Sequence, residues 1–117
     1  MSDDDVGALP FCHLTTTGRH SGLPHRIEIW FARQADVVYL LSGDRDRADW
    51  VRNLAVSPDV VLELGECRGH RRARIVEADS EEDALARRLL VEKYQPHTTD
   101  DLTDWGRTAL PVAIDWP

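Results

Sequence analysis

Residues 26–33 alternate Ile27, Ile29 and Phe31 with Glu28, Trp30 and Ala32, the two-residue period of a strand with one face on a core. A turn at 34–36 and the β-branched and aromatic run VVYLLS at 37–42 then predict a hairpin. Residues 43–46 break the sheet. A short helix is predicted over 48–55, with Trp50 and Leu54 four residues apart on one side, and Pro58 prevents its continuation. Residues 59–64 and 67–77 flank Gly65 and Glu66, a glycine-led two-residue turn of the II′ kind, and predict a second hairpin. The clearest helix spans 80–94: Ser80 with Asp83 resembles a capping box, Leu85, Leu89 and Leu90 mark an apolar side, and Pro96 closes it. Residues 97–107 are polar and turn-rich. Residues 110–114 predict a last short strand, with Pro111 suited to a strand start or an edge.

Hairpins followed by one long helix predict a mainly β protein with flanking helices (α+β) built on a small barrel, because a Rossmann sheet would alternate strands with helices. The chain has 117 residues, 42% of them hydrophobic and 30% charged, enough apolar content for one core and one domain. Residues 1–13 read as an N-terminal tail and 14–117 as the domain. The acidic start has neither the charged nor the apolar segment of a secretory signal, and no apolar run approaches the roughly 20 residues of a membrane span. A cytoplasmic protein without stable membrane insertion is the expectation.

The densest polar chemistry lies just ahead of the first predicted strand, in LTTTGRHSGLPHRIEIWF at residues 14–31. Gly18 and Gly22 permit positive φ and outward backbone N–H groups, Arg19 and Arg26 add fixed charge, and Thr15, Thr16, Thr17 and Ser21 add hydroxyls. His20 and His25 complete an anion cradle suited to phosphate. No GxxxxGK[ST] and no GxGxxG after a strand is present, so neither nucleotide motif applies. A solvated β-turn accounts for the same composition.

Charge and cysteine content narrow the choice. The formal net charge is −7, and the basic stripe Arg68, His70, Arg71, Arg72 and Arg74 lacks interleaved aromatics, so it reads as a solvated face or groove wall and no nucleic-acid partner is expected. Cys12 and Cys67 form no CxxC and are too few for a disulfide scaffold. Although Cys67 and His70 have a CxxH spacing, no metal is expected. No serine, cysteine or carboxylate pair is arranged for covalent or acid–base catalysis, so an enzyme here would take its reactivity from a cofactor. Trp30, Tyr39, Trp50 and Tyr94 suit either the wall of such a groove or an ordinary core.

The segment at 14–31, YLLSGDRDRADWVRNL with the following SPDV, the helix ending in EKYQP, and WGRTALPVAI near the end together resemble the deazaflavin-dependent nitroreductase group. Its members use coenzyme F-420 on a split β-barrel of the FMN-binding-like kind. The likeness spans most of residues 14–114. It implies that the turn from Thr17 to Arg26 holds the coenzyme's phosphate and acidic tail, through Gly18, Arg19, His20, Ser21, Gly22, His25 and Arg26. Ser42, Gly43, Trp50 and Asn53 fall on the stretch bordering the deazaflavin ring. Tyr94 falls where relatives place a tyrosine beside the acceptor, as a proton or hydrogen-bond donor. His20 stands where a lysine or arginine is common, and Asp44 where some relatives have a lysine. The implied activity is hydride transfer from reduced coenzyme F-420 to a small electron-poor acceptor such as a quinone, nitro compound or enone. The alternatives are an FMN-binding split-barrel oxidoreductase and a carrier that binds deazaflavin without turnover. A homodimer is possible, since split barrels often complete the cofactor groove with a second subunit.

Overall fold

The computed structural model describes residues 6–117; the acids at positions 3–5 lie outside them. Seven strands, β1 (Cys12–Thr17), β2 (Pro24–Ile29), β3 (Ala32–Gln34), β4 (Val37–Ser42), β5 (Asp59–Leu64), β6 (Cys67–Ile75) and β7 (Leu110–Asp115), join in the order β2-β1-β5-β6-β7-β4-β3. Every pairing is antiparallel. Flanking this half-barrel are the helices α1 (Asp49–Val56), α2 (Glu81–Tyr94) and α3 (Thr103–Thr108). The predicted mainly β architecture with flanking helices is what the chain adopts.

Alternation explains the inner core. Cys12 and Leu14 of β1, Val60, Leu62 and Leu64 of β5, Val38 and Leu40 of β4, and Val112 and Ile114 of β7 point to one side and form one buried cluster. Tyr39, Leu41 and Ala113 leave the opposite face of β4 and β7 and pack with Ala86, Leu90 and Tyr94 of α2. Strands β4 and β7 are therefore buried on both faces, which is why VVYLLS reads as a continuous apolar run rather than an alternation. Ser80 caps α2 by accepting from the Asp83 backbone N–H at 3.1 Å, and Gly65 takes φ 61° in the β5–β6 turn, both as expected.

Four sequence expectations change. The segment read as a tail already contains the start of β1, and Val6 and Cys12 are buried; a polar threonine run concealed a strand whose inward positions are Cys12, Leu14 and Thr16. The strand expected over 26–33 is two strands, interrupted at Trp30 and Phe31. Here the side chains of α2 take the backbone groups: the Phe31 N–H donates to the Tyr94 hydroxyl at 3.0 Å, and Lys93 Nζ donates to the Phe31 carbonyl at 2.8 Å. Residues 97–107 are not all turn, since they include most of α3. Pro111 lies inside the sheet, on β7 between β6 and β4. Its carbonyl accepts from Val76 N–H, one residue beyond the last β6–β7 pair, Ile75 with Val112, and because proline has no N–H to return that bond the β6–β7 ladder ends there.

Among the described residues no helix is long and apolar enough to cross a membrane, and no three His, Cys, Asp or Glu side chains gather as a metal site requires. The basic stripe divides by strand parity. Arg68, His70, Arg72 and Arg74 are exposed on one face, whereas Arg71 turns the other way and lies 4.6 Å from the Trp116 ring centroid. Arg74 is held by Glu82 in two bonds of 2.5 and 2.7 Å.

Candidate functional site

The loop between β1 and β2 is tied at its neck by Gly18 N–H to the Leu23 carbonyl and Gly22 N–H to the Gly18 carbonyl, both 2.8 Å. Gly22 takes φ 72°, a left-handed value that glycine adopts without penalty. Ser21 Oγ accepts from Leu23 N–H at 3.1 Å, closing a small local turn. Gly18 has a different role. A Cβ there would stand 2.6 Å from both His25 Nε2 and Ser21 Oγ, so only glycine lets these two side chains close over the neck.

Between this loop and α1 is a cavity of about 580 Å³, within the usual size range of ligand sites. Gly18, Arg19, His20, Ser21 and His25 line the loop side, Thr16 and Ile27 the sheet, and Ala48, Asp49, Trp50 and Asn53 the helix, with Asp44 at the connection. One end thus gathers nitrogen donors and the flank is largely apolar.

Arg19 is fixed before any ligand arrives. Its backbone N–H and its guanidinium both donate to Asn53 Oδ1, at 3.1 and 2.9 Å, and a further guanidinium N–H donates to Asp49 Oδ1 at 3.1 Å. Asn53 is buried, and its Nδ2 donates to Thr16 Oγ1 at 3.2 Å. The amide therefore locks strand, loop and helix together. Of the five guanidinium N–H donors, those not used here remain for an anion in the cavity.

The implied site residues divide into two groups. Gly18, Arg19, His20, Ser21, His25, Trp50 and Asn53 line the one cavity. Thr17, Gly22, Arg26, Ser42, Gly43 and Tyr94 do not. Thr17 and Gly22 are exposed. Arg26 pairs with Glu63 across the sheet surface at 3.0 Å, and that bond holds the Glu63 carboxyl below the usual range. Ser42 is buried and donates to the Arg45 carbonyl at 2.8 Å, while Gly43 faces Trp105.

Tyr94 lies away from the cavity. Its hydroxyl accepts from Phe31 N–H and lies 2.9 Å from the Pro10 carbonyl and 3.1 Å from that of Phe31, so its single proton is directed at backbone oxygen. Its ring stacks on Trp30, centroids 4.2 Å apart. Burial pushes the phenol up to about 12. Conversely, Thr16, Ile27, Asp44, Ala48 and Asp49 line the cavity without having been assigned to it as cofactor contacts. The available signal was the four-residue spacing of Asp49 and Asn53, which places both on one helix face.

A family model described as F420H(2)-dependent quinone reductase matches residues 4–117. No curated protein matches the chain by sequence. Among solved structures, one described as an F420-H2 dependent reductase, FDR-A, is 25% identical, with TM-score 0.72 over 91% of this chain and 93% of that one. A structure described as a domain-swapped dimer is also 25% identical, with TM-score 0.72 over 97% of this chain and 87% of its own. The heme storage protein HutZ of Vibrio cholerae, 17% identical with TM-score 0.73 over 92% and 82%, shares the fold.

Proposed function

The chain belongs to the F420H(2)-dependent quinone reductase family, and from that premise we propose that the cavity between the β1–β2 loop and α1 holds the phosphate end of coenzyme F-420, and that the acceptor is a small quinone. An enone or nitro compound is an acceptor of the same electron-poor kind. The protein is an F-420-dependent reductase, and the coenzyme, when bound in reduced form, supplies the hydride.

The donor set suits the coenzyme. The Arg19 guanidinium, His20 and His25 serve an anion, since charge-assisted bonds to phosphate oxygens are about twice as strong as neutral ones. Ile27, Ala48 and Trp50 supply the apolar flank that a planar ring system needs. The absence of a Cβ at Gly18 lets His25 and Ser21 close on the neck. Asp44 and Asp49 oppose a ligand anion, so the affinity of this site rests on Arg19 and the two histidines outweighing them.

The residues contribute by placement. Arg19, held by Asn53, fixes one end of the ligand. The walls from Ile27 and Trp50 exclude water and limit its rotation. Orientation of this kind accounts for about 7–11 kcal/mol of a barrier in the best intramolecular models. The observation that carries the proposal is the pre-set Arg19 guanidinium in a cavity with an apolar flank of Ile27, Ala48 and Trp50. A second copy completing the groove is supported by the domain-swapped dimer among the similar structures.

The test is a turnover assay following loss of reduced F-420 with menadione, a cyclic enone and a nitroaromatic. Quinone-dependent oxidation that falls at least about tenfold in Arg19→Ala, the loss of one hydrogen bond to a charged group, supports the proposal. Binding of the coenzyme without turnover on any acceptor would make the chain a carrier instead.

A further inference from the structure

A second cavity, of about 520 Å³, lies at the other end of β1. Gly7, Ala8 and Pro10, from the segment entering the strand, form one side; Lys93 and Tyr94 at the end of α2, with His97 just beyond, form the other. It shares no lining residue with the cavity at the β1–β2 loop.

Lys93 is its central feature. The ammonium donates to the Phe31 carbonyl at 2.8 Å and lies 3.7 Å from the Phe31 ring centroid and 5.1 Å from that of Tyr94. Only one of its three donors has an oxygen partner, and among the described residues no carboxylate pairs with it. Among the described residues the titratable groups around it bring no negative charge. Cys12 and Tyr94 are each pushed up to about 12 by burial and are neutral over the physiological range. Burial with no counter-ion pushes Lys93 itself down to about 8.

We propose that this second cavity binds a small apolar carboxylate, with the acid group on Lys93 Nζ and the hydrocarbon part against Ala8, Pro10 and the Tyr94 ring. The carboxylate supplies the counter-charge that a half-buried ammonium lacks, and it fills the two unspent donors. A neutral analogue of the same shape gains only the apolar contact. His97, exposed at the rim, adds a second donor. The proposal stands on its own geometry, whatever occupies the cavity at the other end of β1.

The experiment is an amide NMR titration of the full chain with 2-naphthoate and, in parallel, 2-naphthamide. The carboxylate is expected to shift Gly7, Ala8 and Tyr94 and to bind at least about tenfold more tightly than the amide, the low end for a hydrogen bond to a charged group. Lys93→Met is expected to abolish that preference, and His97→Gln to reduce it. Raising the pH well above 8 is expected to weaken the carboxylate, as Lys93 loses its proton, and to leave the amide unchanged. Equal affinity for the two ligands in the wild-type protein would overturn the proposal. So would naphthoate shifts centred on Gly18 and Ser21. If Lys93→Met loses the dispersion of a folded spectrum, the carboxylate-to-amide comparison on the wild-type chain decides alone.

Discussion

Arg19 and Asn53, 34 residues apart, are joined twice through a single oxygen: Asn53 Oδ1 accepts from the Arg19 backbone N–H and from its guanidinium. The same amide holds Thr16 through Nδ2, so the Asn53 side chain is bonded at both ends to protein. Asn53 thus acts through Arg19. Replacing it with alanine leaves a buried hydroxyl and a backbone N–H without their partner, at a cost to stability of about 1–3 kcal/mol. Asn53→Ala is expected to weaken F-420 binding almost as much as Arg19→Ala, and the double variant to lose much less than the sum, because the two residues share one network. Calorimetric titration of the four proteins measures the coupling; strictly additive losses would place Asn53 on the coenzyme itself.

Asp49 competes with any anion for Arg19. Its carboxylate is 86% exposed and bonded to the guanidinium at 3.1 Å, a pairing that solvent and salt screen heavily. Asp49→Asn removes a negative charge from the cavity and frees a donor. The expected outcome is F-420 binding a few-fold tighter at low salt, with the gain shrinking as salt is raised. Equal affinity at both salt concentrations would remove Asp49 from the site.

Gly18 and Gly22 should fail in different ways. A methyl at Gly18 meets His25 and Ser21 at 2.6 Å, so Gly18→Ala is expected to displace both side chains and lower coenzyme affinity while the fold survives. At Gly22 there is open space but φ is 72°, and Gly22→Ala is expected to cost stability, about 1–2 kcal/mol for an L-residue held left-handed. Thermal melting and coenzyme titration on the same two variants separate these effects.

Tyr94 and Tyr39 are the only tyrosines, and both are pushed up to about 12, by burial first and, for Tyr39, by its bond to Glu82 as well. Native protein at pH 10 should therefore show little phenolate absorbance, whereas the denatured chain, at the ordinary value of 10, should be half ionised. The sign for stability follows. Both groups keep their protons longer when folded, so their stabilising contribution is complete below pH 10 and declines as pH rises from about 10 to about 12. Tyr94→Phe tests the role of that hydroxyl directly: melting should fall, because the Phe31 N–H and the Pro10 carbonyl lose their partner while the Phe31 carbonyl keeps only Lys93, and single-turnover hydride transfer should persist. A collapse of transfer with unchanged melting would restore Tyr94 as a donor to the acceptor.

Much of the fold was legible because its signals are local. The β5–β6 hairpin is written in Gly65 and alternating Val60, Leu62 and Leu64, and α2 in Ser80 and its apolar side. What the pattern concealed depends on partners far away in sequence. The break at Phe31 exists because Lys93 and Tyr94 take its backbone groups, and Pro111 sits inside the sheet at the point where the β6–β7 ladder ends, its carbonyl still accepting from Val76 N–H. The cavity shows the same division: the glycines, Thr16 and Arg19 announced it, but Ala48 and Asp49 became part of it only when α1 folded against β1. Ser42 and Gly43 were assigned from the resemblance and Arg26 from its charge as well; Ser42 bonds the Arg45 carbonyl, Gly43 faces Trp105 and Arg26 pairs with Glu63.

The central claim, that Arg19 at the β1–β2 loop binds the anionic end of the coenzyme, is tested most directly by titrating F-420 into wild-type protein and Arg19→Ala and comparing dissociation constants. Saturable binding by the wild type, weakened in the variant by about 1.5–3 kcal/mol, the value of hydrogen bonds to a charged group, is the predicted result. Equal affinity in a folded variant would contradict it.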